Sequence, residues 1–203
     1  MDVHAMFGAV AGVLVFVEFG LYILAIYGRD YRLCALRVPT TPNRATWFIW
    51  ALLGIITAAS YWAIGATDTV WYACAYAIGF ISVAIMSIWY GEGGVDTLDI
   101  FCLLGAMVSA LFWWKFNSPT VALVMTMTID ACGMVPTLRK IWTKPESENA
   151  LAWSVSAVAS ASNILAISWV SASLPIVAYP VYMAVANMSA ALLLRVPRPQ
   201  RSS

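Results

Sequence analysis

The sequence predicts an all-α integral membrane protein that crosses the bilayer with seven helices, and three observations carry this prediction. Apolar residues make up 62% of the 203-residue chain and charged residues only 10%, a composition far from that of soluble domains. The mean hydropathy is +0.82. Apolar runs of about 20 residues, enough to cross a hydrocarbon core as a helix, recur along almost the whole chain.

The seven predicted helices follow these apolar runs in order, because backbone amides in lipid must be paired within their own segment. Their ranges are 6–27, 46–65, 70–90, 98–116, 119–142, 150–173 and 174–195. The first run is too long for the core of a signal peptide and follows no basic segment, so we keep it as a helix. The longest connection, 28–45, is polar and contains two prolines, so we expect no separate soluble domain.

The basic residues predict the orientation of the chain, since positively charged loops stay on the cytoplasmic side. Ten of the eleven basic residues lie in connections that seven crossings place on one side. These ten are Arg29, Arg32, Arg37, Arg44, Arg139, Lys140, Lys144, Arg195, Arg198 and Arg201. Lys115 alone lies opposite. We therefore expect the N-terminus outside and the C-terminus in the cytoplasm.

Composition also excludes several classes of function. The formal net charge is +1, which leaves no basic surplus for binding nucleic acid. A single histidine, His4, excludes a histidine-rich metal site and a hydrolytic triad within the fold. We expect no enzyme activity, no metal and no cofactor, and we interpret the four cysteines as packing residues. Whether the acidic loop with Glu92, Asp96 and Asp99 binds a cation stays open, although a solvated loop is the favoured interpretation.

An internal repeat divides the chain into two halves. An offset of 106 residues aligns helices 2 and 3 with helices 6 and 7, and it matches Trp47 to Trp153 and Tyr76 to Tyr182. Helix 1 then corresponds to helix 5, and helix 4 has no equivalent. The predicted organisation is a triple-helix repeat at 1–90, an inner loop and linker helix at 91–118, a second repeat at 119–195 and a basic cytoplasmic tail at 196–203. Two parallel repeats in a 3+1+3 plan are typical of transporters with a site near the midplane.

The same offset predicts a substrate cavity between the halves. Trp50 and Thr57 lie on one face of helix 2, and the offset aligns them with Ser156 and Asn163 on helix 6. Packing of small and polar residues between helices is the alternative interpretation, because such residues also join membrane helices. For Thr57 and Asn163 the sequence favours neither the cavity nor the packing interpretation over the other.

Two acidic residues fall well inside predicted helices, Glu18 on helix 1 and Asp130 on helix 5. A charged residue at the bilayer centre costs about 2.5 kcal/mol or more, so such residues face the bundle interior and serve a pathway. Neither helix carries a cation at that depth, which favours the protonated carboxyl and predicts proton coupling. Structural hydrogen bonding to a neighbouring helix is the alternative. Pro136, six residues after Asp130, is predicted to break helix 5 and act as a hinge.

Several stretches resemble a family of uncharacterised bacterial multi-helix membrane proteins, itself distantly similar to SWEET and PQ-loop transporters. The stretches are PTTPNRATWFIW at 39–50, GEGGVDTLD at 91–99, TIDACGMVPTLRKIWTKPESE at 128–148 and AYPVYM at 178–183. The resemblance implies the 3+1+3 fold, the bacterial inner membrane and translocation of a small solute. It also implies that Asn187 on helix 7 contributes to the substrate cavity. Thr137 stands where a PQ motif has glutamine, and Ile81 is the repeat equivalent of Asn187.

The leading hypothesis is a carrier for a small polar solute such as a sugar, an amino acid or a vitamin-like metabolite, proton-coupled through Asp130. The alternative is a non-transporting seven-helix sensor or assembly protein that uses its cytoplasmic loops as docking surfaces. The expected partners are the solute and the lipid bilayer, and no nucleic acid. The sequence leaves the identity of the solute and the formation of a homo-oligomer open.

Overall fold

The computed structural model describes residues 2–27, 40, 42, 44–91, 97–116, 118–143, 145, 148–169 and 172–196. Within this part of the chain the structure contains α-helices and no β-strand, so the prediction of an all-helical fold is confirmed there. The helices are α1 Val3–Tyr27, α2 Arg44–Ala63, α3 Val70–Tyr90, α4 Thr97–Phe116, α5 Pro119–Thr143, α6 Ala150–Leu165 and α7 Leu174–Leu193.

Helix boundaries follow local capping chemistry. The side-chain oxygen of Asn149 accepts hydrogen bonds from the backbone amides of Leu151 at 3.0 Å and Ala152 at 3.1 Å, which fixes the start of α6. A proline lies in the first turn of α7, where its missing amide hydrogen costs nothing. Helix α6 ends at Leu165, eight residues earlier than the sequence predicted.

The predicted break of helix 5 at Pro136 is wrong, because α5 is helical through this position from Pro119 to Thr143. Membrane helices tolerate proline where neighbouring groups satisfy the freed carbonyl. The proline ring itself lies outside the described side chains. A hinge at Pro136 stays a prediction, and the continuous helix gives it no support.

The helices pack in a pattern of neighbours that repeats. Helix α1 contacts α3 and α6, whereas α5 contacts α7 and α2. Helix α3 packs on α2, and α7 packs on α6, each pair being joined by a short connection. Helix α4 lies against α5 and α2.

Contacts between helix ends give the relative directions of the helices. The imidazole Nδ1 of His4 lies 3.3 Å from the carbonyl oxygen of Leu165, so α1 begins where α6 ends. Arg44 Nε donates to the carbonyl oxygen of Ser87 at 3.0 Å, so α2 begins where α3 ends. Helices α1 and α6 therefore run in opposite directions, and so do α2 and α3, as alternate crossings of a bilayer require.

The chain is an integral membrane protein by the length and apolarity of its helices. Four of the described helical segments are long and apolar enough to span a bilayer, at Val3–Tyr27, Thr46–Ala63, Val70–Tyr90 and Leu174–Leu193. Tryptophan side chains that are more than half exposed lie at or just beyond helix ends, where an interfacial aromatic belt would lie. They are Trp62, Trp71, Trp89, Trp114, Trp142 and Trp169.

Helices α1 and α3 approach each other closely near the centre of the bundle. Phe19 on α1 is 4% exposed, and its ring lies against the backbone of Gly79 on α3. A methyl group at position 79 would overlap the base of that ring. Glycine is therefore required here for packing, one turn from Tyr76.

Gly79→Ala tests this close approach. We expect a loss of about 1–3 kcal/mol in the free energy of unfolding, because the Phe19 ring is wedged against the backbone and must shift. Gly20→Ala is the matched control: a methyl group there meets nothing within 4 Å, and alanine favours the helix by about 0.5–1 kcal/mol. Thermal unfolding of both variants in detergent measures the difference. Equal stabilities would show that the α1–α3 approach is looser than described.

Candidate functional site

A cluster of hydroxyl and amide groups lies between α3, α6 and α7 at the centre of the bundle. We call it the hydroxyl cluster, and each of its members is buried or half-buried. Its members are Tyr72 and Tyr76 on α3, Ser156 and Ser160 on α6, and Asn187 on α7. The cluster joins a helix from the first predicted repeat to two helices of the second.

Tyr76 links the hydroxyl cluster to a carboxyl group on α1. Its hydroxyl donates to Glu18 Oε2 at 3.1 Å and lies 2.6 Å from Ser156 Oγ. Because the phenol has one hydrogen, Ser156 must donate to Tyr76 when Tyr76 donates to Glu18. The hydrogen bonds then run in one direction, from α6 through α3 to the carboxylate on α1.

Asn187 holds the other side of the hydroxyl cluster together. Its side-chain nitrogen donates to Ser160 Oγ at 2.8 Å and to the Tyr76 hydroxyl at 3.1 Å. Ser160 also accepts from Tyr72 at 2.7 Å and donates to the carbonyl oxygen of Ser156 at 2.8 Å. Asn187 is 3% exposed. These hydrogen bonds therefore replace the ones that its amide would make with water if it were exposed.

The carboxyl group of Asp130 makes a similar contact in the second predicted repeat. The Tyr182 hydroxyl on α7 donates to Asp130 Oδ2 on α5. Tyr182 lies 106 residues after Tyr76, the offset of the internal repeat. Each half therefore contains a carboxyl–tyrosine pair, formed by its first helix and its third.

Thr57 and Asn163, which the repeat aligns, differ in their surroundings. Thr57 Oγ1 donates to Thr126 Oγ1 on α5 at 3.2 Å. Asn163 is 0% exposed, and neither its side-chain nitrogen nor its side-chain oxygen has a hydrogen-bond partner among the described residues. The Thr57 hydroxyl therefore has a hydrogen-bond partner, whereas the Asn163 amide has none among the described residues.

An aromatic layer covers one side of the hydroxyl cluster, towards the start of α2. Edge-to-face contacts join Trp47 to Trp50 at a centroid distance of 5.1 Å and Phe19 to Phe80 at 5.5 Å. Trp50 also lies 5.7 Å from Phe80. Trp50 is therefore part of an aromatic seal beside the cluster, and its packing against α3 accounts for its half-buried state.

A second seal, which we call the Tyr61 seal, lies at the end of α2, on the opposite side of the hydroxyl cluster from the aromatic seal. The Tyr61 hydroxyl donates to the carbonyl oxygen of Ile176 on α7 at 2.6 Å and accepts from Thr69 Oγ1 at 3.2 Å. The residue four positions after Ile176 is Pro180, which has no amide hydrogen to offer that carbonyl. Tyr61 thus takes the place of the missing helical donor and ties α2 to α7.

The predicted site residues fall into three groups. Ser156 and Asn187 lie in the hydroxyl cluster, Glu18 contacts it through Tyr76, and Asp130 forms the equivalent pair with Tyr182. The other predicted cavity residues flank it: Thr57 pairs with α5, Trp50 belongs to the aromatic seal, and Asn163 is unpartnered. Pro136 lies outside the described side chains.

Sequence reasoning missed four tyrosines that carry the polar contacts, Tyr61, Tyr72, Tyr76 and Tyr182. Two of them, Tyr76 and Tyr182, were aligned by the repeat but not paired with the acids. A signal was present, since a buried carboxyl without a cation needs a neutral donor, and tyrosine is the long donor available on neighbouring helices.

No group of three histidine, cysteine or acidic side chains that could hold a metal occurs among the described residues. Glu92 and Asp96 of the acidic loop, and the Asp99 side chain, lie outside the described part of the chain. Of the cysteines, Cys74 is a free, half-buried thiol on α3. Cys34 and the side chains of Cys102 and Cys132 are not among the described groups.

The chain matches no known protein-family model, no curated protein and no solved structure.

Tyr76→Phe tests the hydroxyl cluster. The change removes one oxygen that contacts Glu18, Ser156 and Asn187, so we expect the free energy of unfolding to fall by about 2–3 kcal/mol. Tyr27→Phe is the control, because Tyr27 is 48% exposed at the end of α1 and should change stability by less than about 0.5 kcal/mol. Thermal unfolding in one detergent compares the two. A Tyr76→Phe protein as stable as the control would contradict the cluster.

Proposed function

We propose that the chain is a carrier for a small polar solute, with proton coupling through Asp130. The observation that carries this proposal is the pair of equivalent carboxyl–tyrosine contacts, Glu18 with Tyr76 and Asp130 with Tyr182. Intramembrane acids are costly and are typically kept for ion or proton pathways. Two such acids at repeat-related positions are typical of a carrier whose halves move around a central site.

The helix contacts support a 3+1+3 arrangement with seven crossings. If α1, α2 and α3 correspond to α5, α6 and α7, the main helix–helix contacts outside α4 fall into equivalent pairs. The pair α2–α3 corresponds to α6–α7, and α1–α3 to α5–α7. The contact between α1 and α6 corresponds to that between α5 and α2. Helix α4 falls outside this scheme, as a linker would.

The position of the hydroxyl cluster supports a substrate site between the halves. The cluster joins α3 of one half to α6 and α7 of the other, and each of its ends is covered by a seal. A polar centre between two seals is the arrangement that alternating access needs, because each seal can open without the other. The present arrangement corresponds to an occluded state.

The two acids support proton coupling unequally. The Tyr76 hydroxyl that contacts Glu18 is also held by Ser156 and Asn187, so a change of charge on Glu18 disturbs the whole cluster. Asp130 lies at the repeat-equivalent position, where Trp50 aligns with Ser156 and offers no hydroxyl. Losing or gaining a proton on Glu18 therefore requires the hydroxyl cluster to rearrange, because Tyr76 is shared between them.

The orientation proposed from the basic residues places the Tyr61 seal on the outer side of a bacterial inner membrane. The end of α2 and the beginning of α7 lie at this seal. The aromatic seal around Trp47 then lies on the cytoplasmic side, next to Arg44 at the start of α2. A solute entering from outside would meet the Tyr61 seal first.

Asp130→Asn tests the proposed coupling in proteoliposomes with a panel of labelled monosaccharides, amino acids and carboxamides. We expect the wild-type protein to take up at least one of them with a rate that changes across pH of about 5–8. Asp130→Asn keeps the size and a hydrogen-bond acceptor for Tyr182, so the protein should fold while its uptake loses the pH dependence. Glu18→Gln should have a weaker effect on the pH dependence.

The control is Asp68→Asn, because Asp68 lies in the connection between α2 and α3 and should leave the pH dependence intact. Unchanged pH dependence in Asp130→Asn would assign this acid to structure and overturn proton coupling through Asp130. No uptake of any panel member by the wild-type protein would reject the carrier in favour of a sensor or assembly protein.

A further inference from the structure

The side-chain amide of Asn163 is fully buried and unpartnered. It is 0% exposed, and neither its nitrogen nor its oxygen has a hydrogen-bond partner among the described residues. Each buried polar group left without a partner costs about 1–3 kcal/mol. An apolar residue of similar size would avoid that cost, so the amide calls for an explanation outside the packing of the bundle.

The repeat explains why the residues that the structure describes offer Asn163 no partner. The equivalent residue, Thr57 on α2, donates to Thr126 on α5 at 3.2 Å. Aligning Glu18 with Asp130 brings α1 into register with α5 and places Leu14 at the position of Thr126. Leucine has no hydrogen-bonding group in its side chain. The polar pair of one half is therefore replaced in the other half by an amide and an alkyl group.

Along the axis of α6, Asn163 lies between the level of the hydroxyl cluster and the end of the helix on the side of the Tyr61 seal. It shares one face of α6 with Ser156 and Ser160, and it lies one turn beyond Ser160, about 4.5 Å along the axis. It precedes the end of α6 at Leu165 by two residues. Helix α7 is the next helix along the chain, and near its start the Ile176 carbonyl accepts a hydrogen bond from Tyr61. Opening of this seal would expose Asn163 before the cluster.

Helices α6 and α7 carry no charged side chain. The sequence contains no Asp, Glu, Lys or Arg from Asn149 to Leu194, which covers all of α6 and α7. A side-chain amide presents N–H donors and a carbonyl acceptor side by side. Another primary amide or a lactam satisfies both at once, because it pairs with the side chain through two parallel N–H···O bonds.

We propose that Asn163 binds a carboxamide or lactam group of the solute that the carrier moves. This inference rests on the proposed carrier function and adds the solute's chemical class and its first contact on the Tyr61 side. The remainder of the solute then reaches the hydroxyl cluster, about 5–10 Å further along α6. A solute bound in this way is small and carries its amide at one end.

Thermal unfolding and calorimetry with three matched pairs of probes test the proposal on the purified full chain. The pairs are nicotinamide with 3-acetylpyridine, propionamide with butanone, and 2-pyrrolidinone with cyclopentanone. In each pair the ketone has the shape of the amide but carries a carbon in place of the amide nitrogen. We expect at least one amide to raise the unfolding temperature of the wild-type protein while its ketone does not. In Asn163→Leu the Kd for that amide should rise about ten- to a hundredfold, through the loss of two hydrogen bonds.

Two further variants keep the test decisive. Asn163→Thr carries the residue found at the equivalent position 57, and it should lose amide binding even where Asn163→Leu folds poorly. Ser60→Ala is the control. The Ser60 hydroxyl is also buried and without a hydrogen-bond partner among the described residues, and the variant should bind the amide like the wild-type protein. Amides and ketones with equal effects, no binding of any amide, or full binding by Asn163→Thr would each overturn the proposal.

Measurements of solute uptake in proteoliposomes distinguish a failure of this inference from a failure of the carrier function on which it rests. Uptake of a panel solute without an amide, unaffected by Asn163→Thr, would overturn the inference and leave the carrier. Amide binding that Asn163→Thr abolishes, without uptake of any solute, would reject the carrier and leave Asn163 as the binding group of a sensor.

Discussion

The structure depends on one constraint: polar groups within the membrane must find their partners inside the protein. The bundle meets it with neutral donors, since the described helix interiors pair acids with tyrosines. Tyrosine suits this role because a long apolar ring can cross a helix interface and deliver a single hydroxyl to a carboxylate. The same residue type also supplies the donor that Pro180 removes from α7. Four tyrosines therefore determine how the helices meet.

This constraint also accounts for a difference between the two predicted repeats. Each half keeps a carboxyl–tyrosine pair, which fixes its first helix against its third. Where the two predicted repeats meet, Thr57 bonds to Thr126, whereas the equivalent Asn163 has no partner among the described residues. Symmetric pairs hold each half together, and asymmetric residues lie where the halves meet. A carrier requires this division, because the halves must stay rigid while the interface between them changes.

The helices and the acids could be predicted from the sequence, because hydrophobic runs and intramembrane charges are signals that act within one segment. The 106-residue offset also located Tyr76 and Tyr182. The bonds between helices could not be predicted, since they depend on rotation and tilt that no single segment determines. Pro136 and Pro180 illustrate this limit: the sequence predicted a break at Pro136, where α5 continues, while the structural role of Pro180 became visible only with Tyr61 opposite its free carbonyl.

The central claim is that the two seals open alternately around the hydroxyl cluster, and distances between spin labels test it most directly. Cysteines replacing Trp62 and Leu174, both highly exposed, report on the Tyr61 side in a variant without the native cysteines. Cysteines replacing Phe48 and Leu192 report on the aromatic side. As the pH changes from about 5 to 8, the account predicts that the two distances change in opposite senses, and that Asp130→Asn stops both changes. Distances that stay constant at both ends, or that lengthen together, would contradict it.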